Sequence, residues 1–260
     1  MKPIVRHIIS GTILGLLTVL FGVLLFFSGQ RRDGAVCKGV EIIVKDSLRN
    51  RFISKSDVMS FLREECGSPV EKKVDEIDLS VVESSLRGRS AIKECEAFFT
   101  TDGILNIEIS QREPAVRFQT SSLGYYSDNE GFIFPLQRNH TAHVPIIDGN
   151  IPLDIAPGFK GEPKTEKEKE WLKKMLFLAD CINSNRNWKE DIAQISVRSD
   201  GDIVMIPREG REMFLFGSPD RVKEKLSLME RYYTEIVPAK GVGTYSNVSV
   251  QFEGQIVCRK

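Results

Sequence analysis

The side chains that most often carry chemistry are few and scattered in this sequence. His140 and His143 are the two histidines outside the first seven residues. A spacing of three could place both on one helix face, but these residues lie between predicted strands and no third ligand is close in sequence. We therefore predict a surface loop here and no metal site.

The cysteines show no spacing typical of metal or redox sites, because no two of them form a C-x-x-C pair. Cys66, Cys95 and Cys181 lie on or beside apolar faces of predicted elements, where we expect buried free thiols. An odd count leaves at least one thiol unpaired in any disulfide pattern. The five cysteines are Cys37, Cys66, Cys95, Cys181 and Cys258.

Motifs for nucleophilic or phosphate chemistry are absent from the sequence. It contains no G-x-S-x-G element. Gly241-Val242-Gly243 follows a predicted helix and precedes a predicted strand, the reverse of the order in a phosphate-binding loop. The carboxylates show no spacing that singles out a glycosidase pair. We therefore predict that the chain is not an enzyme and has no catalytic residues, cofactor or small-molecule substrate.

The charge balance argues against nucleic acid as a partner. The 260 residues include 36 Lys and Arg and 36 Asp and Glu, whereas proteins that bind nucleic acid usually carry a basic excess. Four of the basic residues and none of the acidic residues lie in residues 1–32, so residues 33–260 carry a net charge of −4. The main body is therefore mildly acidic.

One segment differs sharply from the average composition. Residues 8–27 contain no charged side chain, and a helix of that length spans about 30 Å, the hydrocarbon thickness of a bilayer. A cleaved signal peptide is the alternative, but its apolar stretch is about 7–15 residues, and Phe26-Phe27-Ser28 is a poor cleavage site. We predict a cytoplasmic stub at 1–7 and a transmembrane helix at 8–27, anchored by Ile8, Leu16, Leu17 and Phe27.

Residues 36–115 predict a compact β-α-α-β-β unit. After a strand-like run, Ser54 with Asp57 favours the start of one helix, and Asp78 favours the start of a second. Thr101-Asp102-Gly103 then separates two strand-like runs, which indicates a hairpin. The apolar residues of these runs alternate with polar ones, so we expect one sheet face to lie under two helices.

Residues 116–260 predict a mostly antiparallel β-domain with two helices. Short strand-like runs separated by turn residues fill 116–149 and 195–216. Thr165 and Glu168 form a capping box for the first helix. Ser218-Pro219 predicts the start of the second helix, with proline at its first position. The fold class is therefore α+β.

The last residues are the best candidate for a binding site. Gln255–Cys258 predicts a short terminal strand, and such a strand at a sheet edge exposes backbone groups that accept a partner strand. The residues alone leave open the alternative of a paired strand without a binding role.

The order of these motifs resembles the family of the bacterial cell-division protein FtsQ, called DivIB in some bacteria. The β-α-α-β-β unit looks like a POTRA domain, and Arg112-Glu113-Pro114 resembles the Arg-x-Pro junction that follows it in the family. Tyr126–Phe134 resembles the family's Asp-x-x-Gly-x-x-Phe hairpin, and Val144–Gly149 resembles its Leu-Pro-x-x-x-Gly strand.

The resemblance extends to the end of the chain. Phe216–Leu226 is similar to the family's Leu-Gly turn and helix, and Tyr245–Lys260 looks like its last strand pair, with an ending similar to that of Bacteroidetes members. In the family a partner adds a strand to the last β-strand, and Gln251-Phe252 stands where many members have Arg-Tyr. The resemblance thus implies a partner-binding site at Gln251, Phe252, Gln255, Ile256, Val257 and Cys258.

The resemblance implies a non-catalytic, single-pass scaffold of the divisome. The expected location is the inner membrane at the division septum, with the N-terminus inside and the bulk periplasmic. The expected partners are FtsB- and FtsL-like proteins, with other division proteins at the POTRA-like domain, and the expected role is regulation of septal peptidoglycan synthesis. Two alternatives are a POTRA-bearing protein-assembly or translocation factor and a membrane-tethered cell-envelope hydrolase.

Overall fold

The computed structural model describes residues 13–23, 35–46, 51–120, 123–185 and 187–260. The chain divides into two compact units. The first comprises Met1–Asp46 and Ile53–Ser110, and the second comprises Ser47–Phe52 and Gln111–Lys260. Both units combine helices with strands, which confirms the predicted mixed α+β class.

The structure describes only part of the predicted membrane anchor. Residues 13–23 form helix α1, in which Leu16 and Leu17 are exposed. Ile8, Phe27 and the stub at 1–7 lie outside the described residues. Among the helices that are described, none has both the length and the apolar character needed to cross a bilayer.

The first unit is a three-stranded sheet with two helices. The central strand β3 is parallel to β1 on one side and borders β2 on the other. The order is the predicted β-α-α-β-β, with one added 3-10 turn at Val74–Glu76. The elements are β1 (Gly39–Val44), α2 (Lys55–Glu65), α3 (Leu79–Arg87), β2 (Ile92–Phe99) and β3 (Ile104–Gln111).

Side-chain caps explain where the two helices of this unit begin. The Ser54 hydroxyl accepts a hydrogen bond from the Asp57 N–H at 3.2 Å, and the Asp57 carboxylate accepts one from the Ser54 N–H at 2.9 Å. Asp78 caps α3 in a similar way. Hydrogen bonds from the Ser80 hydroxyl and from the Val81 and Ser80 N–H groups lower the pKa of the Asp78 carboxyl. The predicted caps are thus confirmed.

The second unit contains a nine-stranded sheet in the order β12-β11-β10-β9-β8-β7-β4-β5-β6. Its strands are β4 (Pro114–Gln119), β5 (Gly124–Asp128), β6 (Ile133–Pro135), β7 (Ile146–Gly149), β8 (Ile192–Val197), β9 (Ile203–Pro207), β10 (Met213–Gly217), β11 (Asn247–Ser249) and β12 (Val257–Arg259). Its helices are α4 (Glu166–Ser184), α5 (Trp188–Asp191), α6 (Val222–Arg231) and α7 (Val237–Lys240), with a π-helical turn at Tyr232–Ile236 between the last two.

This sheet is more mixed than predicted. In the described residues, the pairs β4–β7, β7–β8 and β10–β11 are parallel and the other five are antiparallel. Parallel neighbours need long crossovers, and α4 and α5 supply one between β7 and β8, while α6 and α7 supply one between β10 and β11. The prediction of two helices is wrong because these crossovers contain two further short helices.

The core of the second unit lies between this sheet and its long helices. The buried face of α4 follows the spacing seen in the sequence and belongs to the same apolar cluster as buried residues of β9 and β10. The residues concerned are Leu172, Met175, Leu178, Ala179, Ile182, Ile203, Met205, Phe214 and Phe216. Burial of these large apolar side chains is the main stabilising contribution to the unit.

Helix α6 begins later than predicted. Its N-cap is Arg221, in the left-handed conformation with φ of 53°, so the prediction that Ser218-Pro219 starts the helix is wrong. The Ser218 carbonyl accepts a hydrogen bond from Lys225 Nζ at 2.7 Å, and Asp220 pairs with Lys174 at 2.9 Å. Residues 218–220 therefore form a bend fixed by side chains rather than a first helical turn.

A buried ion pair fixes the start of the second unit. Arg112 Nη1 donates to Asp128 Oδ2 at 2.7 Å, and both side chains are nearly buried. The guanidinium also lies 3.4 Å from the ring centroid of Phe132, and Asp128 Oδ1 accepts the N–H groups of Glu130 and Phe132. One carboxylate thus orders the β5–β6 turn and anchors the segment that leads into β4.

We expect Asp128→Ala to destabilise the second unit by about 3 kcal/mol, because it leaves a nearly buried guanidinium without its carboxylate. Both tryptophans of the chain, Trp171 and Trp188, lie in this unit, so urea unfolding followed by their fluorescence measures the effect. Asp200→Ala is the matched control, because Asp200 also accepts a turn N–H, at 3.0 Å, but is exposed. Equal shifts in the two variants would contradict the role of the ion pair.

Candidate functional site

The predicted terminal strand lies at one end of the nine-stranded sheet. β12 comprises Val257–Arg259, so Gln255 and Ile256 precede it rather than belong to it. It pairs antiparallel with β11, with Cys258 opposite Val248 and Val257 opposite Ser249. No other strand in the described part of the chain pairs with the far side of β12.

One residue of β12 directs both its N–H and its C=O towards this open side. The Arg259 carbonyl accepts a hydrogen bond from the Ser246 N–H at 2.9 Å, so the backbone groups of Arg259 point towards β11. Adjacent residues of a strand direct their backbone groups to opposite sides. The N–H and C=O of Cys258 therefore point outwards, where an added strand would meet them.

The side chains around β12 form an inner and an outer set. Ile256 and Cys258 pack against the hydrophobic core, whereas Gln255 and Arg259 are exposed and Val257 is half-buried. Partial burial raises the pKa of the Cys258 thiol. This thiol is therefore a packing group and a poor nucleophile at neutral pH.

Phe252 is an exposed aromatic side chain in the loop between β11 and β12. β11 ends at Ser249, and 53% of Phe252 is exposed. Val248 and Val250 are fully buried. The phenyl ring is a large exposed apolar surface in the loop that leads into β12, and aromatic side chains are often important in binding sites.

A charged pair at the start of α6 holds the loop that carries Phe252. Arg221 Nη2 donates to the Gln251 carbonyl at 2.7 Å, and Glu224 Oε1 accepts the Gly254 N–H at 3.1 Å. The two side chains also pair with each other at 3.1 Å. The loop is thus fixed by its backbone on both sides of Phe252, which leaves the ring free to make contacts.

One further side-chain contact secures the loop, and a buried lysine lies in the same helix as Glu224. Gln251 Nε2 donates to Asp202 Oδ2 at 3.0 Å, which ties the loop to the turn between β8 and β9. Lys225 is buried, and its Nζ lies 4.9 Å from the ring centroid of Phe216. Burial, together with the nearby Arg221 charge, lowers the pKa of Lys225. The Ser218 carbonyl accepts a hydrogen bond from this buried ammonium.

The residues considered first for chemistry do not assemble into a site. All five cysteines are free thiols, with Cys95 buried as predicted but Cys66 and Cys181 only half-buried. The ring of His140 packs against Phe52 with centroids 5.4 Å apart. The described residues contain no group of three or more His, Cys, Asp or Glu side chains that could hold a metal ion.

The predicted terminal strand lies at one end of the sheet, but the residues that hold the neighbouring loop were not predicted. Arg221, Glu224, Lys225 and Asp202 were not predicted to take part. The i,i+3 spacing of Arg221 and Glu224 was a usable signal for a pair, but their contacts with Gln251 and Gly254, 30 residues away, leave no local pattern.

Comparison with known protein families identifies the class of protein that has this architecture. Residues 35–110 match a family model described as a POTRA-like domain, and residues 113–259 match one described as FtsQ/DivIB, C-terminal related. The second match covers more than half of the chain. A comparison with individual curated proteins found no match. The class is thus a POTRA-like domain followed by a division-associated domain, in families that are generally non-catalytic.

The chain belongs to the FtsQ/DivIB-related family. The resemblance drawn from the Arg112-Glu113-Pro114 junction, the β5–β6 hairpin and the terminal strands is confirmed. The family places the protein among division-associated scaffolds that act through protein–protein contacts.

We expect Arg221→Ala to loosen the loop at residues 250–256, because the Gln251 carbonyl and the Glu224 carboxylate lose their shared partner. Both side chains are partly exposed, so the loss of global stability should be at most about 1 kcal/mol. Hydrogen–deuterium exchange of peptides that cover the loop measures the effect. Arg231→Ala is the control, since it removes an exposed pair with Glu235 at 3.0 Å elsewhere on the same helix. Equal exchange of the loop in both variants would contradict the clamp.

Proposed function

We propose that the protein is a non-catalytic, single-pass membrane scaffold of the divisome. In this proposal residues 1–7 form a cytoplasmic stub, 8–27 a transmembrane helix, 36–115 a POTRA-like domain and 116–260 the β-domain. FtsB- and FtsL-like proteins bind the β-domain and the complex helps to regulate septal peptidoglycan synthesis. Other division proteins bind through the POTRA-like domain.

The observation that carries the proposal is the open edge of β12 in a family member. A partner strand that adds there finds the outward N–H and C=O of Cys258 as ladder groups. The half-buried Val257 and the exposed Phe252 are apolar side chains that would be available to such a partner. Because the main body is only mildly acidic, strand pairing and apolar contact, rather than a strong charge field, would determine the choice of partner.

The binding mechanism is tested by Cys258→Pro and its matched control Cys258→Ala. Proline removes the outward N–H and is tolerated on an edge strand, whereas alanine removes the thiol and keeps the N–H. In titrations of the chain against purified FtsB- and FtsL-like proteins, we expect proline to weaken binding by at least about tenfold and alanine to have little effect. Equal affinities would contradict strand addition at β12.

A fluorescent fusion tests the location and the anchor together. We expect the full chain to gather at the septum and to stay with membranes after alkaline carbonate extraction. Leu17→Arg places a charge near the centre of the apolar run, at a cost of about 2.5–3.5 kcal/mol for insertion, and should release part of the protein. Uniform distribution of the wild-type fusion would contradict the divisome role, and unchanged extraction of the variant would contradict the anchor.

A further inference from the structure

The outer edge of β2 in the POTRA-like unit differs from that of β12. The Thr100 N–H donates to the Ile104 carbonyl at 2.9 Å and closes the β2–β3 hairpin, so even-numbered residues of β2 direct their backbone groups towards β3. Cys95 and Ala97 therefore direct theirs outwards. On an eight-residue edge strand, such groups would ordinarily be open to an added strand.

Two side chains of α3 already bind these outward groups. Arg87 Nη2 donates to the Cys95 carbonyl at 2.7 Å, and Glu83 Oε1 accepts the Ala97 N–H at 2.9 Å. Glu83 and Arg87 are themselves an i,i+4 ion pair at 3.1 Å. The same helix packs against β2 through the buried Val82 and Leu86, which keeps both charged side chains in register with the strand.

This arrangement imitates one residue of a parallel strand. In a parallel ladder, a single residue uses its N–H for the carbonyl of residue i−1 and its C=O for the N–H of residue i+1 on the neighbouring strand. Here the guanidinium takes the place of the N–H and the carboxylate takes the place of the C=O, opposite Glu96. The hydrogen bonds involve charged groups, which are stronger than those of a neutral strand.

We propose that Glu83 and Arg87 form a cap that closes the β2 edge to strand addition, and that these two residues thereby exclude partner strands from this edge. An incoming strand must displace both charged side chains and break their ion pair before it gains a single ladder bond there. The β12 edge carries no comparable cap among the contacts of the described residues. This inference concerns a different sheet and does not depend on the proposed binding at β12.

The test compares the full chain with the double variant Glu83→Ala/Arg87→Ala by hydrogen–deuterium exchange. We expect the amide of Ala97 to exchange at least about tenfold faster in the variant, because it loses its charged acceptor. Glu65→Ala/Arg89→Ala is the matched control: it removes another ion pair of the same unit, at 3.3 Å, whose side chains make no recorded hydrogen bond to β2 in the described residues. In the control, exchange at Ala97 should stay as in the wild type.

Strand addition itself is probed with a fluorescent octapeptide of alternating Lys and Val, whose lysines complement the exposed Glu94 and Glu96. We expect it to bind the Glu83→Ala/Arg87→Ala variant at least about tenfold more tightly than the wild type. Glu83→Gln provides a milder change, since its amide oxygen can still accept the Ala97 N–H, and it should give intermediate exchange. Unchanged exchange at Ala97, or equal binding of the peptide to wild type and double variant, would overturn the proposal.

Discussion

Backbone N–H and C=O groups at the rim of a sheet need partners, and this constraint accounts for much of the protein's detail. The far rim of the large sheet is partly closed at β6, where Ile133 exchanges two backbone hydrogen bonds with Gly161. The β2 rim of the small sheet is closed by Glu83 and Arg87. At β12 the outward groups of Cys258 have no such arrangement in the described residues, and the loop that leads into this strand carries the exposed Phe252. Differences between rims, rather than any catalytic group, therefore distinguish the surfaces of this molecule.

Charged side chains serve two purposes at three places in the structure, since they pair with each other and also bind backbone groups. Three pairs, Arg112 with Asp128, Arg221 with Glu224, and Glu83 with Arg87, each combine an ion pair with hydrogen bonds to backbone groups. The first pair is nearly buried, so breaking it is expected to cost the most stability. The other two are partly exposed, so their main effect is to fix a loop or an edge rather than to stabilise the fold. An ion pair that also binds backbone groups specifies geometry more than it adds free energy.

Features governed by neighbouring residues could be predicted from the sequence, and features governed by distant contacts could not. The capping boxes at Ser54 and Thr165 and the hairpin at Asp102-Gly103 depend on residues within a few positions, and the structure confirms them. The start of α6 was predicted wrongly. The side chain of its N-cap residue, Arg221, binds the carbonyl of Gln251, which is far along the chain, and such a contact leaves no local sequence pattern. The parallel neighbours of the large sheet were missed for the same reason: alternation indicates a strand but not its direction relative to its neighbour. For the candidate site, pattern and resemblance predicted the terminal strand and singled out Phe252. The side chains that hold the loop could not be predicted, because their contacts join residues far apart in sequence.

The parallel pairing of β10 with β11 has a consequence for the order of assembly. β10 ends at Gly217 and β11 begins at Asn247, so the helical crossover must fold back across the sheet before β11, with its partner β12, can dock on β10. Contacts between residues so far apart in sequence form late, because the entropic cost of closing the intervening loop comes before the contacts can stabilise the fold. The rim that would receive a partner thus joins its sheet only once this crossover has folded. A partner that recognises this rim would also distinguish mature molecules from partly folded ones.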